Sequence, residues 1–498
     1  MIKKNSMLIS TVTLLVFGAL VLYPNILEDI LRNIGAKFRQ SGNKVKERNL
    51  GDAYNTPLKQ KLVDEFADAY PKEEITPSGK VVQLDMVASE GEVQIMPGVQ
   101  TRVWNYNGSV PGPVIRIRLG DTLQVNFKNN LPDETTIHWH GVRVPNAMDG
   151  VPGVTQPPIQ PGESFVYKFT PKDAGTYWFH PHVRGSEQVE RGLYGVLIVE
   201  DEYTEKYNQD IVWVVDDWRM LNNWQIDPRF VTPMDLMHDG RWGNIITVNA
   251  QLDLKQEVRP GERIRLRFVN ASNARVYKLD FGKLKATAIA VDGLYVREPF
   301  NANGFELAPG NRLDVDIVIP KDAKDGTEYK IYDIFTRYTN RLGTLVVRGE
   351  PVQTPDFSIP KNSKVPLWAD AFDLPVDKKY VLSARRVGMG MGRIQWLING
   401  KAYPDYEPFT FKAGVFNKVR FVNDSPRLHP MHLHGLFFKV IARNGKPVDE
   451  GFFRDVVLIY PRETVDIALI PWDKGDWANH CHIQEHADAG MMTIVKVE

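Results

Sequence analysis

The sequence predicts an all-β chain of three tandem β-sandwich domains behind an N-terminal apolar helix. Three observations carry this reading. Apolar and polar residues mostly alternate beyond residue 80, one strand-rich unit recurs three times, and an uncharged apolar stretch opens the chain. At ~150 residues per domain, a chain of this length holds about three. Its 61 Lys and Arg balance 61 Asp and Glu, which argues against a nucleic-acid partner, because that binding needs a clustered basic excess. The single cysteine, Cys481, excludes an intrachain disulfide and any thiolate-rich zinc or iron–sulfur site.

Residues 5–27 carry no charge and follow Lys3 and Lys4. A spanning helix needs ~20 apolar residues, whereas a signal-peptide core has ~7–15. No clean small-x-small cleavage site follows the stretch, so residues 1–27 read as an uncleaved signal anchor or a cleaved signal peptide. The two lysines stay cytoplasmic in either case, which puts the rest of the chain outside the cytoplasm, periplasmic or at the cell surface. Residues 28–78 are charged and partly helical in pattern, and read as a spacer.

The strands come next. The runs Ile115-Arg-Ile-Arg-Leu119 and Leu123-Gln-Val-Asn-Phe127 have period two, the mark of a strand with one buried face. The second run recurs at Gly120, Gly261 and Gly414. Each glycine is followed by an aliphatic residue at +5 (Val125, Leu266, Val419), Phe at +7 (Phe127, Phe268, Phe421) and Asn at +9 (Asn129, Asn270, Asn423). A later marker also repeats without gaps: Gly175-Thr-Tyr-Trp-Phe-His180, Gly326-Thr-Glu-Tyr-Lys-Ile331 and Gly475-Asp-Trp-Ala-Asn-His480. Units of this size built of many short strands predict sandwiches over 79–204, 205–352 and 353–498.

The histidines follow the same frame. Ten of the 11 lie in four short clusters. His138 and His140 stand 18 and 20 residues after Gly120, and His432 and His434 stand 18 and 20 after Gly414; the second unit has Leu279 and Phe281 there. At the later marker the first unit has His180-Pro-His182, the third His480-Cys-His482, and the second Ile331 and Asp333. The outer domains therefore carry metal, and the second is expected to be a metal-free structural spacer. His-x-His on a strand projects two imidazoles from one face about 7 Å apart, within reach of one metal or two adjacent ones.

Strand alternation turns Cys481 to the face opposite His480 and His482, so one tripeptide serves two centres. Cys481, His429 and His486 with a weak axial Met491 make the donor set of a blue-copper electron-transfer site, although Met492 competes with Met491 for the inward place. The other eight histidines line the interface of domains one and three. All-imidazole ligation suits copper, zinc or iron, but zinc has no redox chemistry with which to partner the thiolate site.

His138-Trp-His-Gly, His180-Pro-His, His429-Pro-Met-His-Leu-His-Gly and His480-Cys-His-Ile-Gln-Glu-His-Ala-Asp-Ala-Gly-Met together resemble the four copper motifs of three-domain multicopper oxidases, the laccase and cuprous-oxidase family. The resemblance covers residues 80–498. It implies three tandem cupredoxin-like Greek-key domains and four copper ions. His138 and His432 would hold type 2 copper. His140, His180, His182, His434, His480 and His482 would hold the type 3 pair, and His429, Cys481, His486 and Met491 type 1. The implied reaction is one-electron oxidation of a donor at type 1, coupled to four-electron reduction of dioxygen to water. Asp149 resembles the family's proton-supplying carboxylate, or is a turn Asp before Gly150. Many bacterial relatives carry Glu six residues after the cysteine; this chain has Ala487 there and Asp488 next.

The donor stays open between a phenolic or other aromatic compound and a metal ion, Cu(I) or Fe(II). Gly388-Met-Gly-Met-Gly392 reads as a thioether site for Cu(I) at Met389 and Met391, or as a flexible glycine loop. The resemblance puts Asp455 near type 1. Trp472 and Trp477 read as packing residues, and His238 as a loop residue in domain two. A copper-free scaffold of the same fold is disfavoured by the intact ligand set, and a copper nitrite reductase by the four paired motifs.

Overall fold

The repeated Gly, Phe and Asn have one structural explanation, visible in the computed structural model, which describes residues 56–70, 75–388 and 393–498. Gly120, Gly261 and Gly414 have φ of 95°, 78° and 75°, the left-handed region that glycine enters without a Cβ penalty, and each turns the chain into a strand. Those strands are Thr122–Asn129, Arg263–Asn270 and Asn417–Asn423. Phe127, Phe268 and Phe421 lie on the buried face of each strand. At the strand ends Asn129, Asn270 and Asn423 each donate through Nδ2 to two backbone carbonyls, clamping the loop that leads to the next strand.

The three strands also share their neighbours. Each pairs in parallel with the first strand of its domain (Val81–Val93, Gln209–Trp218, Lys378–Val387) and antiparallel with a later one (Ser164–Phe169, Arg312–Val318, Thr464–Leu469). A second sheet faces each of these. In the first domain its order is Val114–Arg118, Gly195–Glu200, Gly175–His180, His138–His140; in the third it is Phe409–Phe411, Met492–Val497, Gly475–Cys481, His429–Leu433, Val456–Ile459. The second domain packs a six-stranded on a five-stranded sheet. Separate apolar cores fill the three sandwiches, centred on Phe127 and Trp139, on Trp213 and Phe268, and on Phe421 and Trp477. The expected all-β, three-sandwich cupredoxin-like architecture is what the chain adopts.

The stretch expected to be a spacer contains helix Pro57–Ala69, started by Pro57 and by the Thr56 hydroxyl, which accepts from Lys59 N. Leu62 and Phe66 are buried among Trp368, Phe416 and Phe453, so this part of the stretch belongs to the packed fold. The N-terminal apolar stretch, Met389 and Met391 lie outside the described residues. Among the described residues no helix is long and apolar enough to cross a membrane.

Candidate metal centre

The strand Gly475–Cys481 performs the division expected of its last tripeptide. Cys481 faces the core of the third sandwich, where its Sγ lies 3.6 Å from His429 Nδ1 and 3.8 Å from His486 Nδ1. The far nitrogens are committed outward. His486 Nε2–H donates to the His238 carbonyl (3.0 Å), and His429 Nε2–H donates to Ser425 Oγ (2.8 Å), whose own hydrogen goes to Asn423 Oδ1. Two Nδ1 lone pairs therefore face each other at 3.3 Å beside a buried thiol. Such a cluster of acceptors is repulsive by itself and suits a soft cation held between them. Met491 shares this core cluster, whereas Met492 packs in another with Val151 and Ala478. Trp396, which the sequence did not single out, covers both rings, with centroids 4.9 Å from His429 and 4.1 Å from His486.

The opposite face gathers the other eight imidazoles from the two outer sandwiches. His138 pairs with His180 across one sheet, and His432 with His480 across the other. The rings form one continuous cluster, closest where His138 meets His434 and His140 meets His432 at 3.8 Å between centroids, within which two triads and a pair can be drawn. His140, His180 and His482 are 4.9–5.7 Å apart. His182, His434 and His480 are 4.9–5.1 Å apart. His138 and His432 are 5.8 Å apart. Each group draws on both domains.

Backbone carbonyls set the ring orientations. Nδ1–H donates to Asp149 O from His138, to Pro181 O from His180, to Asp455 O from His432 and to Cys481 O from His480, all within 3.0 Å. These bonds aim Nε2 inward. The Nε2 atoms of His138, His180, His432 and His482 and the Nδ1 of His140 are buried with no hydrogen-bond partner. His434 and His480 bring Nε2 atoms within 3.0 Å of each other while their Nδ1 protons point away. Burial first, then neighbouring imidazoles, hold His140, His182, His432 and His434 well below the ordinary imidazole range. Neutral rings with converging free nitrogens are the metal-binding form. The donor set thus fits copper ions.

Three acids surround these rings. Asp149 accepts from His434 Nδ1–H at Oδ2 (2.8 Å), and its Oδ1 makes no hydrogen bond. Asp455 requires a correction: it lies at the imidazole cluster, with Oδ1 3.2 Å from His140 Nε2, because the strand Val456–Ile459 pairs with His429–Leu433 and carries the residue before it to His432. Burial pushes its carboxyl up to about 7 against the pull of Arg312. Asp488 receives the Ser186 backbone N–H and hydroxyl, and lines a cavity of about 180 Å³ with His182, His480, Tyr403 and Ala487. Trp472 stacks on Phe66, and Trp477 is fully buried; both pack, as expected.

The second sandwich proves more than a spacer, although it supplies none of these ten imidazoles. A Cβ on its Gly310 would meet His140 Cε1 at 2.9 Å and His482 Cδ2 at 3.0 Å, so this backbone forms a wall of the cluster. His238 is the expected loop residue, yet its carbonyl receives His486. Arg312 carries no repeat signal, since Ser164 and Thr464 stand at its place in the other domains, whereas Gly310 and Ser425 have counterparts in Gly162 and Ser272.

Comparison with known proteins supports the same family along the chain. Profiles described as multicopper oxidase match residues 87–204, 195–344 and 373–498. The chain is 27% identical to the multicopper oxidase MmcO of Mycobacterium tuberculosis, over 84% of this chain and 87% of that one. It is 26% identical to copper resistance protein A of Escherichia coli, covering 84% and 92%. The crystal structure of a multi-copper oxidase from Pseudomonas thermotolerans superimposes with a TM-score of 0.75 at 30% identity, over 84% of this chain and all of that one. With every domain matched in order, the chain belongs to the multicopper oxidases, copper-dependent oxidoreductases that typically carry four coppers.

Proposed function

We propose that this chain draws single electrons from a donor at the Cys481 site and delivers them to the imidazole cluster, where dioxygen is reduced. The observation that carries the reading is the tripeptide His480-Cys481-His482. Its thiol lies in one cluster, His480 in one imidazole triad and His482 in the other. A single short covalent segment therefore joins the electron-entry site to both triads. His429, Cys481, His486 and Met491 would hold type 1 copper, His138 and His432 type 2, and the two triads one type 3 ion each. When bound, the coppers supply one-electron acceptance at the thiolate and, after four such events, conversion of dioxygen and four protons to two waters. The protein orients the rings through their outward hydrogen bonds, excludes water by burial, and offers Asp149 Oδ1 as a proton-holding atom beside the cluster.

A metal-ion donor, Cu(I) or Fe(II), is favoured over a phenol by the cover on the Cys481 site. Both imidazoles are fully buried, and helix Pro233–Met237 with His238 lies over His486, so an aromatic ring cannot stack on either. Met234 on that helix is 58% exposed and offers a soft thioether. Oxygen uptake with Cu(I), Fe(II) and a methoxyphenol tests both readings. Rapid uptake with a metal ion and slow uptake with the phenol is expected. No uptake with any of the three would sink the oxidase reading, and preference for the phenol would reverse the second. We further propose that the chain is tethered outside the cytoplasm by residues 5–27. Recovery of mature protein that begins beyond residue 25 would remove the tether.

A further inference from the structure

We propose that Arg312, from the metal-free second domain, is a positioning residue for the imidazole cluster: through Asp455 it turns His140 so that Nδ1, rather than Nε2, faces the site. This rests on the copper-binding reading above. His140 is the exception among the rings with an assigned outward bond in this cluster. His138, His180, His432, His434 and His480 all use Nδ1 for that bond. His140 uses Nε2, which donates to Asp455 Oδ1 at 3.2 Å, and its Nδ1 is the buried atom left without a partner.

Asp455 holds this position because Arg312 grips both of its oxygens. Nη1 donates to Oδ1 at 2.7 Å and Nη2 to Oδ2 at 2.6 Å. A guanidinium has five N–H groups in a rigid fork, and here all five are used. The other three go to the Thr176 carbonyl in the first domain and to the Gly310 and Asp292 carbonyls in the second. Arg312, Asp455 and His140 are each no more than 1% exposed. Neither partner can swing to solvent, and removing one leaves a buried charge uncompensated.

Gly141 is fitted to this assembly. It follows His140 with φ of 80°, and a Cβ there would lie 2.2 Å from Arg312 Nη2 and 2.5 Å from Asp455 Oδ2. The glycine after His-Trp-His thus gives the ion pair room to approach the ring. Lysine keeps the charge at 312 but cannot span two carboxylate oxygens in one plane while serving three carbonyls.

The test compares holoenzyme carrying Arg312→Lys or Arg312→Met with the unaltered protein. Copper per chain after challenge with a chelator is read by elemental analysis, the blue absorption reports the Cys481 site, and electron paramagnetic resonance reports uncoupled copper spins. Loss of an outer-shell partner is expected to weaken copper retention by about 10–100-fold in the imidazole cluster. The blue absorption per chain should stay constant, and new uncoupled copper signal should appear. The lysine variant keeps charge and bulk, so it decides the matter if the methionine variant does not fold. Unaltered copper retention and spin coupling in Arg312→Lys overturn the proposal. So does proportionate loss of blue and cluster copper, which marks general destabilisation. If the unaltered chain holds no copper, the underlying reading fails instead.

Discussion

Asp149 and Asp455 hold the imidazole cluster by the same pair of contacts, made in opposite directions across the interface of the outer domains. The Asp149 carbonyl receives His138 and its Oδ2 receives His434. The Asp455 carbonyl receives His432 and its Oδ1 receives His140. The rings joined in this way are stacked, His138 on His434 and His140 on His432, each pair with centroids 3.8 Å apart. Each acid thus fixes a ring of its own domain through the backbone and a ring of the other domain through the carboxylate. The two differ in what faces the rest of the carboxylate. Arg312 occupies both oxygens of Asp455, whereas Asp149 keeps Oδ1 without a hydrogen bond.

This asymmetry leads to a prediction for Asp149→Asn. An amide oxygen can still accept from His434 Nδ1–H, so copper content and blue absorption should stay. The amide cannot hold and release a proton as the acid does, so oxygen turnover should fall by about 10²-fold or more. Steady-state oxygen uptake beside elemental analysis checks it. An unchanged rate at full copper content would remove Asp149 from proton supply.

Cys481→Ser should separate the two centres. Serine removes the soft thiolate and the blue absorption but leaves His480 and His482 on their strand, with the orienting bond from His480 to the residue 481 carbonyl intact. Copper per chain should fall from the family's four to three, with oxygen consumption from any external donor abolished. If all copper left together, the two sites would be coupled more tightly than their separate hydrogen bonds indicate.

In the metal-stripped chain, stability should decline steeply with acid. Burial holds His480 at about 4 and His486 at about 3, with His140, His182, His432 and His434 also well below the ordinary value. The unfolded chain takes up protons near pH ~6.5, where these folded rings refuse them. Their contribution is therefore present above that pH and is lost as pH falls toward 4. Urea unfolding of chelator-treated protein at pH 7, 6 and 5 should show a falling midpoint, with a smaller fall when copper occupies the ring nitrogens. A flat apo series would mean that the rings rearrange to take protons without unfolding.

The sequence carried most of this site because its ligands repeat. The offsets of His138 and His432 from Gly120 and Gly414 mark them as equivalent, and strand alternation separates Cys481 from its neighbours. It did not show Arg312, whose partner Asp455 is 143 residues away and whose contact depends on how three domains dock. Resemblance placed Asp455 beside the thiolate site, but strand pairing carries it to the cluster. The stacking of His138 on His434 and of His140 on His432 was likewise hidden, since it forms only where the two outer domains meet. Helix Pro57–Ala69 showed only as a weak apolar pattern, because its burial depends on aromatic residues of the third domain.

That helix yields the last prediction. Phe66 is 2% exposed and touches four aromatic rings, with centroids 5.1 Å from Phe453, 5.7 Å from Trp472, 6.0 Å from Trp368 and 6.1 Å from Tyr70. Truncating such a side chain removes its transfer free energy and leaves a cavity that rigid neighbours cannot close, so Phe66→Ala should cost about 3–5 kcal/mol. Phe453 stands two residues before Asp455, so the damage is aimed at the strand that secures the imidazole cluster rather than at Cys481. Urea unfolding of the holoenzyme should show the lower midpoint, and mild heating should release cluster copper before the blue absorption fades. A midpoint within error of the unaltered protein would show that the helix merely rests on the third domain, and that residues 57–69 serve as the linker their charged composition first indicates.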